Sequence, residues 1–167
     1  MKNKFYLLII LFSTLLWACA QKPVYTCGNS YLANRPKIES KVLKLERIGI
    51  ADTNVVFISG KILGKDSTSA GATIDTLIYA KVYLVDKVRA KTIAKATDLN
   101  GEFDFTVPSG LYDFQVQHIA YNTLIIRDMH LGTGDIVKLE AVLGQSGTSV
   151  DSTEYKLPNK WSLEAIK

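Results

Sequence analysis

Tyr112, Phe114, Val116 and His118 alternate with Asp113, Gln115 and Gln117. In an extended chain successive side chains point to opposite faces, so this order puts an apolar row on one side of a strand and a polar row on the other. The same period returns in Phe103, Phe105 and Val107 against Glu102, Asp104 and Thr106. It returns again in Val137, Leu139, Ala141 and Leu143 against Lys138 and Glu140. Val55 to Leu63 is a strand by its β-branched content, and Leu77 to Val85 sets Val82 and Leu84 on one face.

Turn signals separate these runs. Asp98, Asn100 and Gly101 define the turn inside Thr97 to Phe105, with Asn100-Gly101 supplying residues that tolerate positive φ. Thr92 to Thr97 runs as the partner strand of that hairpin. Lys41 to Ile50 has a mixed pattern, and with 54–63 it reads as a second hairpin across Ala51 to Asn54. Gly64 to Thr76 is small and polar and reads as a long loop. Pro108-Ser109-Gly110 and Ala120-Tyr121-Asn122 are further turns. Thr123 to Ile126 is a short strand, and Met129 to Asp135 a Gly-rich connection. Strands recur roughly every eight to twelve residues with no strong amphipathic helix between them. The expectation is an all-β fold, an antiparallel β-sandwich of about seven or eight strands.

The first residues have a different logic. Lys2 and Lys4 precede an apolar run from Phe5 to Trp17, which fits a signal helix. It is short for a membrane span. Leu16-Trp17-Ala18-Cys19 looks like a lipobox, which makes 1–18 a signal peptide and Cys19 a lipidated N-terminus. Ala18-Cys19-Ala20 also reads as an ordinary cleavage site, with Gln21 first in the mature chain. The lipoprotein reading is favoured because a cysteine closing such a run is otherwise rare. Its acyl chains, palmitate among them, would hold the protein at a membrane. Residues 19–40 read as a tether, 41–143 as the sandwich, and 144–167 as a polar C-terminal tail in which Trp161, Leu163 and Ile166 form a short turn or dock.

Either cleavage leaves Cys27 as the lone thiol, an unpaired or intermolecular cysteine rather than a nucleophile. The net charge of +4 falls to +2 once Lys2 and Lys4 are removed, so charge gives no argument for nucleic acid. Lys81, Lys87, Arg89, Lys91 and Lys95 gather near the centre and read as a solvated strand face, with an anionic surface as the rival. His118 ends the inward-looking face of its strand and is expected to be a buried or rim histidine bonded to backbone. With His130 it makes a poor zinc site for want of ligand spacing, and no cofactor or metal is expected. Asp98, Asn100 and Glu102 resemble part of a calcium loop but lack the later carboxylate, so they are expected to bond the turn's own backbone.

With these residues set out, the segment from about Val56 to Leu143 resembles the carboxypeptidase regulatory-like domain family. The set is Ser59-Gly60-Lys61-Ile62, Ala80-Lys81-Val82-Tyr83-Leu84, Thr97 to Phe103, Pro108 to Tyr112, and His118-Ile119-Ala120-Tyr121. Ala120 stands where the family usually has Gly. The resemblance implies a transthyretin-like sandwich of Greek-key type in an envelope protein, acting as a binding or scaffolding module and not as an enzyme. Its partners would be the membrane, through the N-terminal lipid, and another envelope protein or a glycan. Tyr79, Tyr83, Tyr121 and Trp161 are the aromatics that could stack on a sugar in a carbohydrate- or peptidoglycan-binding alternative. A transthyretin-like hydrolase would need a basic, His-containing channel, and its residues are not found. The expected address is the cell envelope, most simply the outer membrane.

Overall fold

A computed structural model of the chain describes residues 38–68, 71–146, 151–158 and 161. The signal segment, Cys19, Cys27, Leu163 and Ile166 lie outside the described residues. Ten strands are present among them: β1 (Lys41–Ile50), β2 (Val55–Thr68), β3 (Gly71–Thr76), β4 (Lys81–Asp86), β5 (Lys91–Ala96), β6 (Glu102–Pro108), β7 (Gly110–Gln117), β8 (Thr123–Leu131), β9 (Asp135–Gly144) and β10 (Ser152–Tyr155). They form an all-β sandwich. One sheet runs β1-β9-β2-β3, with β6 also on β2, and the other runs β10-β8-β7-β4-β5. Most pairs are antiparallel, whereas β2/β9 and β8/β10 are parallel.

The alternating rows meet between the sheets. Val56, Ile58, Ile62, Phe103, Phe105, Val107, Val137 and Leu139 face Val82, Leu84, Tyr112, Phe114, Val116, Leu124 and Ile126, all buried. Phe103 of β6 packs on Phe114 of β7 with ring centroids 5.6 Å apart, a contact that joins the two sheets. Burying such side chains stabilises by about 1.5–3 kcal/mol each before chain entropy is counted. Tyr112 donates its hydroxyl to the Pro108 carbonyl at 2.8 Å, tying the start of β7 back to the end of β6. Gly60 lets β9 pass close, since a Cβ there would drive into the Leu139 carbonyl oxygen and against Phe103.

Several expectations about pairing are corrected. Lys41–Ile50 is a strand, but its partner is β9, which lies between β1 and β2, so 41–50 and 54–63 are not a hairpin. Period-2 alternation fixes which face a residue takes and leaves the neighbouring strand open. The expected 64–76 loop is the far half of β2 plus β3, paired from Leu63↔Thr76 to Thr68↔Gly71. Every side chain of β3 is exposed, so no apolar row marked it. The strand expected from Leu77 begins at Lys81. The strand expected to end at Ile126 continues to Leu131, making Met129 a core residue.

The Thr97–Phe105 stretch is also reassigned. β5 pairs with β4 and β6 with β2, so this turn carries the chain from one sheet to the other. It closes locally like a hairpin, with Asp98 N–H on the Glu102 carbonyl at 2.9 Å, and the strands then separate. The ends hold more structure than expected as well. Ser40, at the end of the expected tether, is buried, donates to the Asn122 carbonyl at 2.8 Å and accepts the Gly144 N–H at 3.0 Å. In the expected tail, β10 adds to β8 from Ser152↔Thr123 to Tyr155↔Ile126. Trp161 is buried, with the Arg47 guanidinium 4.9 Å from its ring.

Candidate functional site

At one end of the sandwich a groove of about 670 Å³ is lined by Ile78, Tyr79, Lys81, Gln117, His118, Ile119 and Thr123. Its floor crosses the outer face of the second sheet. Lys81 of β4 lies opposite Gln117 of β7, and Thr123 begins β8 alongside. Two turns, 77–80 and 118–122, make the walls.

The first wall is held by Thr97. Its hydroxyl donates to the Leu77 carbonyl at 2.6 Å and accepts the Ala80 N–H at 2.9 Å. Its backbone carbonyl accepts the Tyr79 N–H at 3.1 Å, and its N–H donates to the Ala80 carbonyl at 2.9 Å. The second wall is bonded into the other sheet. Asn122 N–H reaches the Gly144 carbonyl at 2.8 Å, Ser146 N–H reaches the Ala120 carbonyl at 2.9 Å, and Asn122 Nδ2 reaches the Ile38 carbonyl at 2.8 Å. The chain therefore enters the sandwich at the groove's own wall.

Each wall carries one residue in the left-handed region, Tyr79 at φ +58° and Ala120 at φ +68°. An L-residue there costs about 1–2 kcal/mol, a strain that surrounding bonds must hold. The mouth is apolar and open: Ile78 is 42% exposed, Tyr79 65% and Ile119 89%. Leu99, on the turn that Thr97 begins, is 71% exposed. Several large apolar side chains gathered at one end mark a contact surface more strongly than scattered ones do.

His118 stands on the rim, its Nδ1 3.0 Å from the Ile119 carbonyl and its ring edge-on to Tyr121 at 5.3 Å. A carbonyl only accepts, so Nδ1 carries a proton in this contact. His130 lies at the other end of β7, paired opposite Leu111, so the two histidines do not converge. Among the described residues no group of three or more His, Cys, Asp or Glu is placed to hold a metal ion.

The turn residues serve their own backbone. Asp98 Oδ1 accepts the N–H groups of Asn100 and Glu102, each at 2.8 Å. Gly101 takes φ +71°, and its carbonyl accepts the Ile62 N–H at 2.8 Å, fixing the turn against β2. Of the four aromatics considered for sugar stacking, only Tyr79 lines the groove. Tyr121 sits over Gly64, and burial together with the Asp66 carboxylate pushes its ionisation far above the ordinary value.

The basic cluster is mostly taken up in ion pairs. Lys87 meets Asp128 and Asp113, Arg89 meets Asp86 at 2.7 Å, and Lys95 meets Asp104 at 2.8 Å. Lys81, in the groove floor, has no acidic partner among the described residues; its neighbours across the strands are Gln117 and Ala96. Ile78 was not singled out by alternation, because it falls in a turn.

No family model matches the chain, and no curated protein sequence matches it. Solved structures similar to it include three catechol 1,2-dioxygenases. The wild-type enzyme of Acinetobacter radioresistens is 10% identical with a TM-score of 0.42, over 64% of this chain and 57% of that one. The mercury-inhibited enzyme of Acinetobacter sp. ADP1 is 11% identical with a TM-score of 0.38, over 65% and 58%. The enzyme of Pseudomonas arvilla C-1 is 11% identical with a TM-score of 0.34, over 72% and 59%. The chain thus spans less than two thirds of the length of these enzymes.

Proposed function

We propose that this protein is a cell-envelope lipoprotein, acylated at Cys19, whose sandwich is a non-enzymatic binding module of the carboxypeptidase regulatory-like kind. The binding end is the groove, and its partner is another envelope protein. One observation carries the reading: exposed Ile78, Tyr79 and Ile119 ring a groove whose walls are bonded in place. Leaving such side chains in water forgoes roughly 25 cal/mol for each Å² of apolar surface, which a partner recovers on covering them.

The lining chemistry favours a protein over a glycan. Sugar recognition by stacking uses flat aromatic faces, and here one tyrosine stands among branched aliphatic side chains. Aliphatic side chains match the apolar side chains of a protein partner.

Two variants in the native envelope test this. Ile119→Asp should release the protein from its native complex, read as a shift to the free species on a native gel. Val88→Asp, which changes another strongly exposed side chain beyond β4, should leave the complex intact. The opposite pattern, or no complex at all, would count against the reading. Cys19→Ser tests the anchor separately: an unchanged membrane fraction would defeat the lipoprotein.

A further inference from the structure

We infer that the groove takes a partner segment in which a carboxylate stands beside apolar side chains, with Lys81 as the group that meets the carboxylate. This rests on the reading of the groove as the binding end and names the chemistry of what enters it.

The charge distribution argues for it. The lining holds one cation, Lys81, one titratable ring, His118, and no acid. Across the strands, Lys81 is flanked by Gln117 on β7 and Ala96 on β5, neither able to neutralise it. Its counterparts Lys87, Arg89 and Lys95 each meet an aspartate. Lys91 of the same cluster also makes no ion pair among the described residues, but Lys81 is the cation that lines the groove.

The remaining lining completes the match. Gln117 on β7 and Thr123 on β8 offer hydrogen-bonding groups in the row that runs from Lys81 across the strands. Ile78, Tyr79 and Ile119 stand above it as the apolar rim. A carboxylate entering between those side chains leaves water on several sides, so its attraction to an ammonium group is stronger than at an open surface. A segment with an amide in that position loses this attraction, and one with a cation is repelled. The concave polar floor also separates this occupant from a bilayer surface, which would cover the rim and leave the floor unmet.

The test uses the full-length protein in nanodiscs of zwitterionic lipid. Three dye-labelled amidated hexapeptides serve as probes, each with Ile, Phe and Leu around one central position occupied by Glu, Gln or Lys. Fluorescence polarisation should rank them Glu, then Gln, then Lys, with the Glu peptide bound about fivefold tighter than the Gln peptide. Lys81→Gln should abolish the preference of the Glu peptide over the Gln peptide, and Lys81→Glu should reverse it. Equal binding of all three, or a preference that survives Lys81→Gln, would overturn the inference and leave the apolar binding end standing. Binding indifferent to both Lys81→Gln and Ile119→Asp would sink both. So would failure to bind any peptide combined with Lys81-dependent binding to phosphatidylglycerol vesicles, which would make this end a membrane contact.

Discussion

Thr97 Oγ1 lies 2.6 Å from the Leu77 carbonyl oxygen and 2.9 Å from the Ala80 nitrogen, donating to one and accepting from the other. A single buried hydroxyl thereby joins the turn between the sheets to the groove wall that presents Ile78 and Tyr79. Thr97→Val keeps the side chain's shape and removes the hydroxyl. It leaves a buried N–H and a buried carbonyl short of a partner, for which a loss of about 2 kcal/mol is expected in urea unfolding. Thr97→Ser should recover most of that loss.

Ala120 should gain from losing its methyl group. At φ +68° its Cβ crowds the backbone, and glycine adopts that conformation freely. Relief of about 1–2 kcal/mol, set against the larger unfolded-state entropy of glycine, predicts that Ala120→Gly stabilises by roughly 0.5–1 kcal/mol. Thermal or urea unfolding checks it. A destabilised variant would mean that the wall is not strained there.

Acid should undo the contact at the opposite end. Asp86 accepts Arg89 Nη1 at 2.7 Å, Arg89 N–H at 2.9 Å and Val88 N–H at 3.0 Å. The Arg89 guanidinium and these N–H groups hold its carboxyl below the ordinary 3.8. A lowered carboxyl contributes stability above its unfolded value and loses it as pH falls through the folded one. Asp86→Asn should therefore lower the urea midpoint at pH 7, and the gap to the wild-type protein should close below about pH 3.8.

Alkali should act through Tyr121. Burial, the hydrogen bond to Asp66, and the charges of Asp66 and Asp75 raise its ionisation well above the ordinary 10.0. A raised tyrosine contributes stability below its unfolded value and loses it as pH climbs toward the folded one. The wild-type protein should lose stability above about pH 10 that Tyr121→Phe does not lose, measured as urea midpoints at successive pH values.

The residues differ in how far the sequence alone revealed them. The rows Tyr112-Phe114-Val116 and Val137-Leu139-Ala141 could be read because each strand is buried on one face and wet on the other. The neighbours of β1 and β2 could not be read, since β9 pairs with both from about ninety positions away. β3 and β10 carry no apolar row, so turn-rich composition was all that marked them. Asn100-Gly101 specifies a tight reversal, and the same chemistry serves a hairpin or a crossing between sheets. His118 was expected to be buried or at a rim, whereas the groove around it depends on two turns meeting across three strands. Lys81 stood in a run of basic residues. What set it apart was its place in the groove floor, which only the meeting of the two turns over the β4–β7 row reveals.

The most direct test of the groove as the binding end is site-specific photo-crosslinking in the native envelope. A photoreactive residue at position 119 is compared with one at position 88, both side chains being strongly exposed. If the groove is the binding end, position 119 gives one discrete protein adduct, lost when Tyr79→Asp is added, and position 88 gives none. Adducts from position 88 alone, or equal adducts from both positions that persist in Tyr79→Asp, would contradict it.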